Sequence, residues 1–556
     1  MNNRMRFRRA LLAPFVLALS MGAGTGATAS SAAQGPGEAL AQWIPSDALV
    51  ALPGQDGPKA VPVQPSGLSE RAATVRDAWL EAFSAPDSLL HLGGELEVLE
   101  SASGVIRLVM PAVSIRAPGA SEEVPSPFVL DLGTLAAVLE PVAEERWAVV
   151  WELPERARLR DQDGNVVGVM TTGERSLRGL WAADLGTMLK ADLRLQGLDL
   201  RLDPEAVQVY REGDWNGTGG DLPPDSELPG GLSAERLTVT LDLEESEPGV
   251  VSGPLRLALD DLMVESLEGT PMARLAALHM GVDYAGLDLP RLAAFAQLAA
   301  DPEALIDQDP EQVLTALLAA IGGVQTRVEL RDLAVDGRDG AGQLRLRSAA
   351  LDTGFMASEA DPLLRDLRGS VQARGWRFHD EDSAIEVDAF GVDLRLERVA
   401  PVTLLQLGMR SMLADEALAS GDMDAGPEAI FLALLENATR LDINEIVIEL
   451  PIAGLRFTGH AHAEPGGDEG PGVLRGAAEM EVRGLDAVVE YALAFSGSEA
   501  ARQQIVGVAT ILKLASEKRS AEDGEVLHVF RVEGDSQGRL LVNGNDLGAL
   551  LMGGAP

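Results

Sequence analysis

The residues able to do chemistry in this chain are few and poorly partnered. The stretch Gly534-Asp535-Ser536-Gln537-Gly538 spells a nucleophile elbow. An elbow needs a strand before its serine, a helix after it and a histidine downstream. No histidine follows Ser536 and the pattern of a strand does, so these five residues read as a hairpin turn. His460 and His462 are two positions apart. On a strand that spacing turns both rings to one side, where Glu464, Asp468 or Glu469 would complete a metal site. Those acids occupy a glycine-rich stretch and supply no fixed third ligand, so the pair reads as surface histidines at a strand end. Asp161-Gln162-Asp163-Gly164-Asn165 begins like a calcium loop, yet Val166 stands where the glycine belongs and Thr172 where the closing glutamate belongs. It reads as a turn.

Asn216-Gly217-Thr218 and Asn437-Ala438-Thr439 are glycosylation sequons in spelling alone. There is no cysteine, which excludes a disulfide framework, thiolate metal sites, a cysteine nucleophile and a lipoprotein anchor. No phosphate loop, dinucleotide fingerprint or His-Glu-x-x-His is present. Nothing argues for an enzyme, and no catalytic, cofactor-binding or metal-binding residue is assigned.

The elements that would position such residues begin with an export signal. Arg4, Arg6, Arg8 and Arg9 precede the apolar run Ala10 to Leu19 and a small-residue stretch, Gly22 to Ala33, the three-part layout of a signal peptide. The apolar run is too short to span a bilayer, and cleavage is expected after Ala29 or Ala33. Arg8-Arg9 leaves the twin-arginine route open beside the general one. Residues 1–33 are therefore assigned to a signal peptide and 34–70, rich in Pro, Gly and Gln, to a flexible linker. Ser69 caps a helix running to Phe83 that buries Ala73, Val75, Ala78 and Trp79. A β-rich region occupies 71–230, with Leu96 to Val113 alternating and Ala157 to Met170 forming a hairpin about Asp161–Asn165.

Residues 231–556 read as a repeat-like region of strands and helix pairs. Apolar residues at i, i+2, i+5 and i+7 recur as Leu193, Leu195, Leu198, Leu200; as Leu257, Leu259, Leu262, Val264; as Val328, Leu330, Leu333, Val335; and as Leu441, Ile443, Ile446, Ile448. A flat strand would turn i+5 to the wrong face, so each unit needs a bulge or tight bend. Gly281-Val282-Asp283 leads into helices over Pro290 to Ile321, and Gly391-Val392-Asp393 into helices over Val402 to Thr439. Each second helix opens at Pro-Glu and each pair is followed by Thr-Arg and a strand, an internal duplication. Helices at Leu485 to Phe495 and Glu499 to Glu517 form a third copy. A hairpin, Val526 to Val532 and Arg539 to Val542, ends in Asn543-Gly544. The fold class is α+β, dominated by a long twisted, bulged antiparallel sheet with interspersed helix pairs and an apolar inner face.

Bulged apolar strands, helix pairs between strand groups, a signal peptide and the closing Gly-Arg-Leu-Leu-Val-Asn-Gly at Gly538 to Gly544 together resemble the AsmA-like envelope proteins, including the YdgA-like family, and a related group of alphaproteobacterial periplasmic proteins. The resemblance covers residues 90–550. It implies a long twisted sheet with an apolar groove and a link to lipid transport or outer-membrane homeostasis, and it supplies no catalytic residues. A cleaved signal would remove the N-terminal anchor helix common in those proteins.

Composition limits the partners. The chain carries a net charge of −41, and losing the four signal arginines takes it to −45, which repels nucleic acid and anionic surfaces at low salt. Aromatics are 4%, too few for stacking platforms on bases or sugars. The function expected is that of a periplasmic protein, soluble or peripheral, handling lipid or acyl chains in the envelope. The alternative is a structural or interaction protein that binds other envelope proteins and no small ligand.

Overall fold

The computed structural model describes residues 68–84, 90–116, 128–161, 163–206, 229–300, 310–336, 342–358, 361, 363–380, 383–401, 434–435, 437–464, 473–495, 498–520, 525–534 and 539–546. The signal segment, most of the linker, the helices expected over 402–433, Ser536, Asn216, Asp468 and Glu469 lie outside them. Of the described residues 69% are in strands and 16% in helices, and every described pairing is antiparallel. The β-dominated reading of the sequence therefore holds. The chain divides into two compact units, Met1–Ile306 and Asp307–Pro556.

The first unit opens with helix α1 (Glu70–Ser84). Ser69 Oγ accepts the amide of Ala72 at 3.1 Å, a side-chain cap on an otherwise orphaned donor. The helix lays Ala72, Val75 and Trp79 on the sheet; Ala72, not Ala73, takes the buried position. That follows from helical spacing, since 72, 75 and 79 recur at three and four residues and so form one stripe. The stripe meets Ile106, Leu108, Val113, Leu139, Trp147 and Trp181 in a single buried cluster. Trp79 lies 5.0 Å from Trp151 and 6.0 Å, edge-on, from Trp181, and the Arg71 guanidinium sits 4.3 Å above the Trp147 ring, a cation–π contact.

Strands β1 (Leu90–Leu92), β2 (Glu97–Glu100), β3 (Ile106–Arg116), β4 (Phe128–Ala143), β5 (Arg146–Glu152), β6 (Arg156–Asp161), β7 (Val166–Thr171), β8 (Arg175–Ala182) and β9 (Thr187–Leu202) follow. β1 and β2 pair with one edge of β3, whose other edge takes β4. Between β4 and β9 two short pairs lie end to end, β5–β8 and β6–β7. The β6–β7 turn is the expected hairpin: Asp161 and Asn165 close it through a 3.0 Å backbone bond and the Asp161 carboxylate. β10 (Pro229–Asp242), β12 (Val250–Ser266) and β13 (Pro271–Asp288) extend the sheet from β9, with β11 (Glu244–Glu247) on the end of β12. Helix α2 (Leu289–Ala300) follows β13.

In the second unit α3 (Pro310–Ala320) runs directly into β14 (Ile321–Asp336). β14, β15 (Gln343–Ala357), β16 (Arg365–Asp380), β17 (Ser383–Val399), β18 (Arg440–Leu450), β19 (Ala453–Glu464) and β20 (Val473–Arg483) form a meander in which each strand pairs with the next. Helices α4 (Leu485–Phe495) and α5 (Glu499–Ala515) interrupt it. β22 (Val526–Gly534) then pairs with β20, and β21 (Glu517–Ser520) and β23 (Leu540–Val542) share its other edge. Asn543 and Gly544, both with positive φ, turn β23 into β24 (Asn545–Asp546), as an Asn-Gly pair does in a two-residue turn.

The i, i+2, i+5, i+7 strands break where the sequence requires. Gly197, Asp261 and Asp332 fall between the halves of the first three units and have φ of 58°, 48° and 50°. Asp tolerates this left-handed conformation better than most side chains because its short carboxylate bonds locally, and Asp261 is held by Arg274 at 3.0 Å. The fourth unit uses another device, an extra residue in β18 about Asn444 against both β17 and β19. In the second unit the breaks line up. Asp332, Arg347, Gly375 and Asp388 are each left out of the ladder on neighbouring strands, so a crease crosses β14 to β17. Gly375, with φ of 62°, would bring a Cβ to 3.0 Å from that of Arg347, so the crease admits no side chain there without a shift.

Candidate functional site

Register partners in an antiparallel sheet turn their side chains to the same side, so the pairing shows which residues share a face. In the second unit one row reads Val328, Leu351, Val371, Val392, Ile446, Phe457, Met480 and Phe530 across eight strands. The next row on that side reads Leu330, Ala349, Ala373, Phe390, Ile448, Leu455, Val482 and His528. At about 4.8 Å per strand, each row is roughly 34 Å long. In the first unit Val98, Leu108, Ala137, Trp151, Leu177, Leu193, Val239, Leu257 and Met280 are in register from β2 to β13. Helix α1 seats on the β3–β5–β8 end of this row.

The residues between these rows point the other way; Glu329, Arg456 and Glu481 among them carry charge, while Ala350, Gln372, Gly391, Val447 and Val529 do not. Glu329 pairs with Arg327 at 2.7 Å and Arg331 at 3.3 Å. Arg456 meets Glu445 at 2.8 Å, and Arg531 meets Glu479 at 2.8 Å. The neighbouring guanidiniums hold the Glu329 and Glu479 carboxyls below their ordinary range, by charge for Glu329 against the pull of desolvation and chiefly by the Arg531 hydrogen bond for Glu479. In the first unit Asp192, 1% exposed, is gripped by Arg194 at 2.8 Å and Arg178 at 3.6 Å. A buried carboxylate held by two guanidiniums is a positional constraint more than a source of stability.

His460 and His462 lie on this charged side. His460 faces Asp442 across the ladder, and His462 faces Arg440 on one neighbour and Arg475 on the other. His462 Nε2 is 3.3 Å from Glu464, whose other oxygen is taken by Arg475 at 2.9 Å. Among the described residues no group of three or more metal-ligating side chains comes together. Gly534 ends β22, and a strand, β23, follows the Gly534–Gly538 stretch.

Three side chains tie separate stretches of the chain together through backbone carbonyls, two of them at helix ends. Arg365, 2% exposed, donates from Nη2 to the Leu318 carbonyl in the last turn of α3 at 2.7 Å, and burial lowers its pKa. Arg398, in the left-handed region at φ 57°, donates to the Ala438 carbonyl while Thr439 Oγ1 donates to the Arg398 carbonyl at 3.1 Å. Asn543 donates from Nδ2 to the Ala515 carbonyl at the end of α5 at 2.6 Å and to the Val529 carbonyl at 3.0 Å. A cation or amide at a helix C-terminus satisfies carbonyls left open by the last turn. Only the Asn-Gly pair announces such a role in sequence, through its turn propensity.

His528 ends the second apolar row. It is buried, its Nδ1 is 2.7 Å from Ser516 Oγ, and it faces Lys518 across the ladder. Burial foremost, then Lys518, lowers its pKa, with Asp486 opposing. Ser516 Oγ also lies 3.1 Å from the Lys513 carbonyl, so the pair joins α5 to β22.

No protein-family model, curated protein or solved structure matches the chain.

Proposed function

We propose that this is an exported, extracytoplasmic protein whose apolar strand rows line a groove for the acyl chains of envelope lipids. The observation that carries the reading is the partial exposure of Leu351, Val371, Phe390 and Ile448. They lie on four adjacent strands and on one side of the sheet. A contiguous apolar surface of this kind is unfavourable in water and marks a binding surface. An acyl chain laid along it gains about 0.8 kcal/mol per buried methylene, while the charged opposite side keeps the protein in solution. The export signal read from the first 33 residues puts such a groove among envelope lipids. The resemblance to AsmA-like proteins supports the same role.

The test is native mass spectrometry of protein purified without detergent, followed by solvent extraction. Co-purified phospholipid or fatty acid is the expected result. A ligand-free protein that also takes up no fluorescent fatty acid would leave the envelope interaction protein in its place. N-terminal sequencing of the extracytoplasmic fraction should begin at Ser30 or Gln34, and an intact Met1 in the membrane fraction overturns the cleaved signal.

A further inference from the structure

Two asparagines of the chain are followed by glycine, Asn216 and Asn543. An asparagine in that position is prone to lose its side-chain amide spontaneously. The main-chain nitrogen of the next residue attacks Cγ, the bond from Cγ to the side-chain nitrogen breaks and ammonia leaves, which closes a succinimide ring. Water then opens the ring at either carbonyl, giving aspartate or isoaspartate. Glycine favours the attack because no Cβ shields its nitrogen. Water is the one reagent consumed, but the side chain must be free to swing back on to the following nitrogen.

The fold blocks that swing at Asn543. Its Oδ1 accepts the Arg531 amide at 2.9 Å, and its Nδ2 donates to the Ala515 carbonyl at 2.6 Å and to the Val529 carbonyl at 3.0 Å. These bonds run to β22 and to the end of α5, so they hold Cγ towards those elements instead of towards the Gly544 nitrogen. The backbone is pinned as well. Asn543 donates its own amide to the Arg531 carbonyl at 2.8 Å, and Asn543 and Gly544 have φ of 48° and 79° in the turn between β23 and β24. One of the three side-chain anchors exists only while α5 is in place. Ser516 Oγ, 2.7 Å from His528 Nδ1, holds the same helix end to β22, so the seating of α5 and the inertness of Asn543 go together.

We propose that Asn543 is a deamidation site that the seated end of α5 keeps shut. When this end of α5 parts from β22, the side chain loses its anchors and becomes reactive. The conversion is irreversible, and it removes the latch itself. Aspartate keeps an acceptor for the Arg531 amide but has no N–H for the Ala515 and Val529 carbonyls, which then face a carboxylate oxygen. Isoaspartate also adds a backbone atom to the turn. Carbonyls that lose their donor destabilise the closed arrangement, so α5 does not seat again as before. The site is a one-way record of opening at this end of the second unit. The inference is independent of the acyl-chain reading of the strand rows.

Deamidation is followed by mass spectrometry in mildly alkaline buffer, with the purified protein either folded or unfolded in urea. Cleavage after Arg539 releases the peptide beginning at Leu540, and fragmentation distinguishes Asn543 from Asn545. Three hydrogen bonds must open before the attack, so the folded protein should react at Asn543 at least about tenfold more slowly than the unfolded one. Asn543→Asp reproduces one product. Its last-turn amides of α5 should exchange about tenfold faster than the parent's, while those of β3 in the first unit stay the same. Equal deamidation of folded and unfolded protein overturns the proposal, since the fold would then give no protection. So does Asn543→Asp with unchanged exchange in α5. If Asn543→Asp does not fold, chains deamidated in urea are separated from intact ones in an Asn216→Gln background, and both are diluted out of urea. Equal recovery of the two fractions then overturns the proposal, and failure of the deamidated fraction alone supports it.

Discussion

Val371→Asp separates the proposed groove from the stability of the fold. Val371 is 41% exposed and stands between Leu351 and Val392 in the apolar row. Because much of the side chain already meets water, a carboxylate there can remain hydrated, and unfolding free energy should fall by no more than about 1 kcal/mol. A bound acyl chain cannot tolerate it. Keeping the carboxylate wet removes roughly three methylenes from contact, each worth about 0.8 kcal/mol, which amounts to about 2.4 kcal/mol, or roughly fifty-fold in affinity. Gln372→Asp is the control, since Gln372 is the exposed neighbour on the charged side, facing Ala350 and Gly391. Uptake of a fluorescent fatty acid measures affinity and urea titration measures stability. Retention by Val371→Asp equal to that of Gln372→Asp would refute the argument, because the row would then not be the surface that meets the chain.

Trp79→Ala should cost about 3–5 kcal/mol, the range for removing a large aromatic from a packed core, because Trp79 joins α1 to Trp151 and Trp181; a urea-titration loss under about 1 kcal/mol would show that α1 is not seated. Asn543→Ala removes amide bonds to Ala515 and Val529 and a left-handed residue that Asn tolerates, so about 1–3 kcal/mol should be lost, with faster exchange of the last-turn amides of α5 as the local signature. The folded-state pKa of His528 lies below the ordinary 6.5. Its unfolded form therefore binds the proton first: the stability it confers is complete above pH 6.5 and falls as pH drops through that value. His528→Gln should flatten that slope, and an unchanged slope would assign it elsewhere. Changing His460 and His462 together to Ala should shift stability by less than about 1 kcal/mol, and a stoichiometric metal lost in that variant would contradict their reading as surface residues.

Local and periodic features were legible without a structure. Ser69 and the stripe through Val75 and Trp79 specify α1 because a cap and a 3.6-residue period act within one helix. Asp161 to Asn165 and Asn543-Gly544 specify their turns because backbone sterics there concern only a few residues. The i+5 spacing in Leu257–Val264 and Val328–Val335 required a break, and Asp261 and Asp332 supply it. The kind of break was not legible: β18 uses an added residue where the other three use a left-handed one, a choice made by the strands on either side. Ala72 replaced Ala73 because the sheet decides which edge of the helical stripe is pressed furthest in. Pairing decided the rest. Val328 and Phe530 are two hundred residues apart, yet the register places them at opposite ends of one row. Arg365 and Asn543 acquire their helix-capping roles, and Arg398 its bond to a turn, only when separate strands bring them to carbonyls of Leu318, Ala515 and Ala438. Sequence fixes what a residue can do over a few neighbours, whereas long-range register determines whom it meets.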